Sequence, residues 1–127
     1  MNKVIIGVES TAHTFSFGLV TLCGIPRKSY SALYRPKEGG IHPREAADHH
    51  SELSGQLIDN LLKTEQIDSS EVEAIAYSQG PGLGPCLRIG ANVSRALAEH
   101  WQVPLLGVNH CVAHIEIGRN QTGCKDP

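Results

Sequence analysis

The chain opens with a mostly apolar run over residues 3 to 9, Val4-Ile5-Ile6-Gly7-Val8 closed by Glu9, which predicts a core strand. Residues 14 to 22, Thr-Phe-Ser-Phe-Gly-Leu-Val-Thr-Leu, alternate aromatic with small or polar side chains and predict a second strand paired with the first as a hairpin. Gly24-Ile25-Pro26 marks a turn, and Lys28 to Tyr34 reads as a third strand ended by Arg35-Pro36. After the loop Glu38-Gly39-Gly40-Ile41 the period changes. Ala46, His50, Leu53, Leu57 and Leu61, flanked by Ala47, Ile58 and Leu62, recur at spacings of three and four. They predict a long helix from His42-Pro43 to about Thr64, with proline in the first turn, where its missing N–H is harmless. Ile67-Asp68-Ser69-Ser70 is a polar break, and Val72 to Ser78 is apolar enough for an interior strand. A helix from about Cys86 to Glu99 follows the loop Gly80-Pro81-Gly82-Leu83-Gly84-Pro85, and Leu105 to Val108 is a last strand leading into a helix at His110. The expected order is β-β-β-α-β-α-β-α, an α/β domain whose first three strands are antiparallel.

The length of 127 residues suits one domain that buries about two-thirds of the surface its unfolded form exposes. Forty per cent hydrophobic and nineteen per cent charged residues are globular in character, and no run approaches the roughly 20 apolar residues of a membrane span. The N-terminus has no signal-peptide pattern, so a cytoplasmic protein is expected, with Cys23, Cys86, Cys111 and Cys124 as reduced thiols. A formal charge of −2 gives no overall basic footprint for nucleic acid. Locally, Arg27, Lys28, Arg35, Lys37 and Arg44 outnumber Glu38 and Glu45. This stretch reads either as a phosphate contact or as a hairpin edge protected by charge.

The chemistry concentrates in Asn109-His110-Cys111-Val112-Ala113-His114. Two histidines four apart on a helix project from one face and can grip one metal ion; the alternative is an ordinary polar pair satisfied by backbone carbonyls. A zinc peptidase of the His-Glu-x-x-His type needs glutamate after the first histidine, and Cys111 stands there, while Glu116 points elsewhere on the helix. Peptidase chemistry is therefore not expected. Two histidines leave a metal short of ligands, and Asp48, His49, His50 and Cys124 are candidates whose spacing compels no choice. On the long helix, neighbours His49 and His50 lie about 100° apart, which favours His50 at the core edge and His49 facing solvent, Glu45 or Glu52. The glycine-rich loop before the second helix reads either as an anion cradle or as a tight strand-to-helix connection, and it lacks the Gly-Lys-Ser/Thr ending of a Walker loop.

Four segments carry a resemblance to a family: Gly7 to Thr14, Gly39 to His50, Ser78 to Arg88 and Val108 to Arg119. Across essentially its whole length the chain resembles the universal tRNA threonylcarbamoyltransferases in their archaeal and eukaryotic form, the catalytic subunit of the KEOPS complex, once described as O-sialoglycoprotein endopeptidases. The resemblance implies one ribonuclease-H-like half of the actin, sugar-kinase and heat-shock ATPase fold, with residues 1–119 as the first lobe and 120–127 as a linker toward a second lobe. It implies His110 and His114 as ligands of one divalent ion, iron or zinc, with an aspartate far downstream completing the site and the nucleotide, threonylcarbamoyl-AMP or ATP, bound mainly by the second half. Glu9, Ser10 and Thr11 then line the cleft, with the hydroxyls toward its phosphate side, or make simple turn hydrogen bonds. The implied reaction moves threonylcarbamoyl from its mixed anhydride with AMP to N6 of the adenosine after the anticodon in tRNAs reading codons that begin with A. Implied partners are tRNA, the small dimerising KEOPS subunit docked on this lobe, with Gly90, Ala91, Ser94 and Ala98 as places of close approach, and the small kinase-like ATPase subunit. Rival readings are a partner-binding module alone and a bacterial non-catalytic scaffold paralogue, which lacks the histidine pair.

Overall fold

Strand β1 (Val4–Glu9) lies at the centre of a five-stranded sheet in the order β3-β2-β1-β4-β5, with β2 (Thr14–Thr21), β3 (Tyr30–Leu33), β4 (Val72–Gly80) and β5 (Leu105–Asn109). The β1–β2 and β2–β3 pairs are antiparallel, whereas β4 joins β1 and β5 in parallel. The computed structural model describes residues 3–40 and 42–125; Met1, Asn2, Ile41 of the glycine loop and Asp126-Pro127 of the tail lie outside them. Helices α1 (Pro43–Thr64), α2 (Gly84–Trp101) and α3 (His110–Thr122) complete the order expected from the sequence.

Alternation along β1 and β2 divides the sheet into two unlike faces. Val4, Ile6 and Val8 with Phe15, Phe17 and Leu19 are buried on one side, where α1 and α2 cover them. Phe15 and Phe17 meet edge to face with centroids 5.2 Å apart, and truncating such a fully buried ring costs about 3–5 kcal/mol. The opposite face presents Gly7, Glu9, Ser16 and Gly18, which are only half-buried. Helix α3 stands over this second face, and none of its residues is buried. The lobe therefore has one closed side and one open side.

Several boundaries differ from the sequence pattern for identifiable reasons. Strand β3 is shorter than the predicted 28–34 because it is an edge strand whose ladder runs only from Tyr30 to Leu33; before it, Pro26 makes an isolated bridge to Val20 and has no N–H to continue pairing. The charged stretch around 27–45 flanks this edge: Arg27 pairs with Glu65 at 3.4 Å and Lys28 lies 5.8 Å from the Tyr30 ring centroid. Helix α2 begins at Gly84, with Pro85 in its first turn. Helix α3 continues through Asn120, Gln121 and Thr122, residues expected to be linker, and stops at left-handed Gly123, whose N–H donates to the Arg119 carbonyl.

The small residues of α2 correct an expectation. Gly90, Ser94 and Ala98 are buried inside the lobe rather than offered to a partner helix. A Cβ at Gly90 would lie 3.0 Å from the Ser10 Cβ, and the Ser10 hydroxyl donates to the Cys86 carbonyl at 2.9 Å. Gly90 is small because the loop after β1 sits directly on it, whereas Ala98 belongs to the hydrophobic core and Ser94 returns its hydroxyl to the Gly90 carbonyl. The same docking fixes the glycine loop: the Leu83 N–H donates to the Thr11 carbonyl at 2.7 Å, and a Cβ at Gly82 would stand 2.6 Å from that oxygen.

His50 belongs to this closed side. It is fully buried, its ring lies 5.7 Å from that of Phe15, and Nε2–H donates to the Ala12 carbonyl at 2.7 Å. The remaining Nδ1 is 3.4 Å from His49 Nδ1. His49 packs with its ring centroid 5.5 Å from that of Tyr34, whose hydroxyl donates to Glu45 at 2.7 Å. Burial pushes the His50 pKa below its ordinary 6.5; the Ala12 bond opposes that and the nearby His49 reinforces it. The unfolded chain then takes up a proton that the folded chain resists, so stability is complete above 6.5 and declines as pH falls below it.

Two outcomes follow. Gly82→Ala should lower unfolding free energy by about 1–3 kcal/mol, read as a reduced urea midpoint at unchanged slope, because the Thr11 backbone cannot yield to the added methyl. His50→Gln, which keeps a donor for Ala12, should narrow the stability difference between about pH 7.5 and about pH 5.5, measured by denaturant midpoints of both proteins; equal pH differences in the two would rule out His50 as the source.

Candidate functional site

The open side of the sheet is built around Glu9. As the last residue of β1 it follows Val8 in the alternation and so turns away from the core, while parallel pairing brings Ser78 of β4 beside it and the start of α3 just beyond β5. Its Oε2 accepts from the Ser78 hydroxyl at 2.6 Å and contacts His110 Nδ1 at 3.0 Å, and its Oε1 accepts from the Thr11 N–H at 2.8 Å. Burial pushes the Glu9 carboxyl up, and the bonds from Ser78, Thr11 and His110 outweigh it, so the group sits below its ordinary value and is ionised near neutrality.

Helix α3 starts where a side chain can hold it. Asn109, the residue before the helix, accepts from the N–H groups of Cys111 at 2.9 Å and Val112 at 3.1 Å, a cap worth about 1 kcal/mol. The cap fixes the first turn and with it the direction of His110. One turn later His114 faces back: the two Nε2 atoms are 3.1 Å apart, with rings nearly perpendicular at 88°. Two imidazole nitrogens holding one ion at about 2.0–2.1 Å in tetrahedral geometry lie about 3.3 Å apart, so this pair has the bite for a shared metal. The donor set agrees, because His110 turns its other nitrogen to a carboxylate, the usual support of a metal-bound histidine.

A cleft of about 650 Å³ opens between α3 and the sheet. Gly7, Gly18 and Ala76 floor it with small side chains, Glu9 and the two histidines mark one end, and Ile117 lies on its α3 wall. The volume is that of a small-molecule or nucleotide pocket. Glu116 bonds Arg119 at 2.7 Å and is not part of this lining.

Of the residues singled out in the sequence, His110, His114 and Glu9 come together here. Ser10 and Thr11 do not line the cleft: strand alternation buries Ser10 against α2, and Thr11 is buried with its carbonyl on the glycine loop. The Ser10 hydroxyl bonds the distant Cys86 carbonyl, and the Thr11 N–H bonds Glu9 two residues back. Asp48, His49 and His50 sit on α1, which packs on the closed side, and Cys124 borders a second, shallower cleft with Asn120 and Pro26. Among the described residues no three His, Cys, Asp or Glu side chains form a cluster able to hold a metal, so a third side chain of these types does not join the histidine pair there. Ser78 and Asn109 were not foreseen. The asparagine was detectable as a cap residue directly before a helix; the serine needed the strand register.

The model of the tRNA N6-adenosine threonylcarbamoyltransferase (TsaD) family matches residues 27–127. Relatives of that name from Pyrobaculum calidifontis and Archaeoglobus fulgidus are 53% and 47% identical to the chain, each over 98% of it, and the matched regions make up 37% and 38% of those proteins. The chain thus spans somewhat over a third of the length of the curated relatives it matches. Among solved structures, YeaZ from Pseudomonas aeruginosa superposes with a TM-score of 0.73 at 21% identity, covering 95% of this chain and 50% of that one. RuvC from Thermus thermophilus, in complex with a Holliday junction substrate, gives 0.53 at 13% identity, covering 86% of this chain and 66% of that one. These likenesses concern the fold, which with its β3-β2-β1-β4-β5 sheet is ribonuclease-H-like. The chain belongs to the tRNA N6-adenosine threonylcarbamoyltransferase family.

Proposed function

We propose that this chain forms the first lobe of an enzyme that transfers threonylcarbamoyl from threonylcarbamoyl-AMP to N6 of the adenosine following the anticodon in tRNAs reading codons that begin with A. The observation that carries the reading is the convergence of His110 and His114 Nε2 at 3.1 Å beside a cleft of about 650 Å³. The two imidazoles hold one divalent ion, iron or zinc, since that ligand suits both. When bound, the ion supplies Lewis-acid polarisation and a template for the acyl-adenylate. The remaining ligands and most of the nucleotide contacts come from a second lobe.

In the transfer, the adenosine amine attacks the carbamoyl carbon, a C–N bond forms, the bond from that carbon to the phosphate oxygen breaks, and AMP leaves. The amine's proton departs as the product forms. This reaction needs no protein nucleophile, and the lobe's residues serve to bind and orient. Gly7, Gly18 and Ala76 keep the cleft floor low enough to admit the donor, and Glu9 and Asn109 hold the histidine end rigid. The family supports tRNA as the other substrate. The small dimerising KEOPS subunit docks on this lobe, and the small kinase-like ATPase subunit joins the same assembly. Among the described residues no helix is long and apolar enough to cross a membrane, and a tRNA substrate favours the cytoplasm as the place of work.

In a protein of the relatives' full length, His110→Ala or His114→Ala should bring transfer to background and remove the stoichiometric metal, measured by nucleoside analysis of the tRNA and by elemental analysis. Retained metal and activity in both variants would dismiss the pair as ligands. The 127-residue chain alone should form no threonylcarbamoyladenosine, because half the cleft is missing; turnover by the purified chain would show that the lobe is sufficient.

A further inference from the structure

We propose that Glu9 is a positioning residue that selects which nitrogen of His110 carries the proton, and that this choice sets how well the histidine pair takes a metal. The proposal rests on the metal reading above and adds to it a residue 101 positions away in sequence from the histidine it controls.

A neutral imidazole carries one proton, on either nitrogen, and only the bare nitrogen can bind a metal. An ionised carboxylate accepts and never donates. With Glu9 Oε2 3.0 Å from His110 Nδ1, the proton belongs on Nδ1, and Nε2 is left with its lone pair toward His114. In the metal-free lobe the 3.1 Å contact between the two Nε2 atoms then has one sense: His114 Nε2–H donates to His110 Nε2. Metal entry displaces only the His114 proton, which leaves or moves to the other ring nitrogen.

Glu9 can impose this choice because it is itself held. Oε1 is tied to the Thr11 N–H at 2.8 Å, a backbone donor with no rotational freedom, and Oε2 also accepts from Ser78 at 2.6 Å. The carboxylate plane is set from two sides before His110 reaches it. On the other partner, the Asn109 cap holds the first turn of α3. Neither end of the Glu9–His110 bond is left to find its geometry unaided.

The isosteric variant Glu9→Gln gives a decisive test. The fixed Thr11 N–H needs an acceptor, so the glutamine carbonyl oxygen must face it, and the NH2 group is turned toward Ser78 and His110. Ser78 can respond by accepting. His110 Nδ1 must accept too, so its proton moves to Nε2 and the orientation of the whole pair reverses. The variant therefore keeps shape and volume while inverting the tautomer.

Long-range ¹H–¹⁵N correlation spectra of the full chain, metal-free at about pH 8 and above the ordinary imidazole range, read the tautomer of each ring. The native chain should show His110 as the Nδ1–H form and Glu9→Gln as the Nε2–H form; an Nε2–H form in the native chain, or no change in the variant, overturns the proposal. Zinc titration followed on the same ring resonances should show affinity about 10- to 100-fold weaker in Glu9→Gln, the range for loss of a carboxylate behind a ligating histidine. Equal affinities would overturn the link from tautomer to metal. Failure of zinc to perturb either ring would instead refute the metal reading beneath it, an outcome distinguishable because the metal-free tautomer is recorded separately. Ser78→Ala, which leaves the carboxylate in place, should retain the Nδ1–H form and serves as the control for a general loss of packing.

Discussion

At the end of β1 three consecutive residues are sent in three directions, and both sides of the lobe are organised by that divergence. Strand alternation turns Glu9 to the open face and Ser10 to the closed one, and the chain then bends so that the Thr11 carbonyl reaches the glycine loop. One short segment therefore joins β4, the glycine loop, α2 and α3. The closeness of these contacts explains why Gly82 and Gly90 lack side chains: each has the Thr11 or Ser10 segment within about 3 Å of where a Cβ would be. A shift of β1 along its neighbours by one residue would exchange the destinations of Glu9 and Ser10 and dismantle the site and the packing together.

The electrostatics of the open side follow from the same residue. A half-exposed carboxylate with three donors is held ionised despite partial burial, and it faces an imidazole rather than a lysine or arginine. A permanent cation in that position would cancel the charge outright. An imidazole instead shares one proton directionally and leaves its far nitrogen as a donor of electrons. The arrangement resembles half of a coordination cage whose outer support is complete although its inner ligand set is not.

Much of this was legible in the sequence because it depends on local period. The face of α1 and the helical spacing of His110 and His114 follow from repeats of three and four, β2 from alternation, and β1, β4 and β5 from short apolar runs. What stayed hidden depends on pairing between distant segments. Ser78 meets Glu9 only because β4 lies parallel to β1 in one register, and Ser10 turns out to be structural only once α2 is seen beneath it. The small residues of α2 were ambiguous for the same reason: a stripe of glycine, serine and alanine announces close approach without saying to what, and the neighbours are the chain's own, the loop after β1 at Gly90 and the core at Ala98. The resemblance of the four ordered segments carried the family, while the burial and bonding of Ser10 and Thr11 emerge only from the fold.

Helix α3 buries none of its residues, and Val112, Ile115 and Ile117 remain about half exposed on it, with Leu106 similarly exposed on β5. It is tied at both ends, by the asparagine cap and the glutamate bond at its start and near its end by Asn120, whose side-chain N–H donates to the Gly24 carbonyl at 2.8 Å. With no residue buried between those ties, its backbone amides should open at a lower free energy than those of α1, which is anchored in the core along its length. The two imidazoles lie in the first two turns, next to the cap and the glutamate bond, and are thus kept in register even while the exposed turns beyond them open.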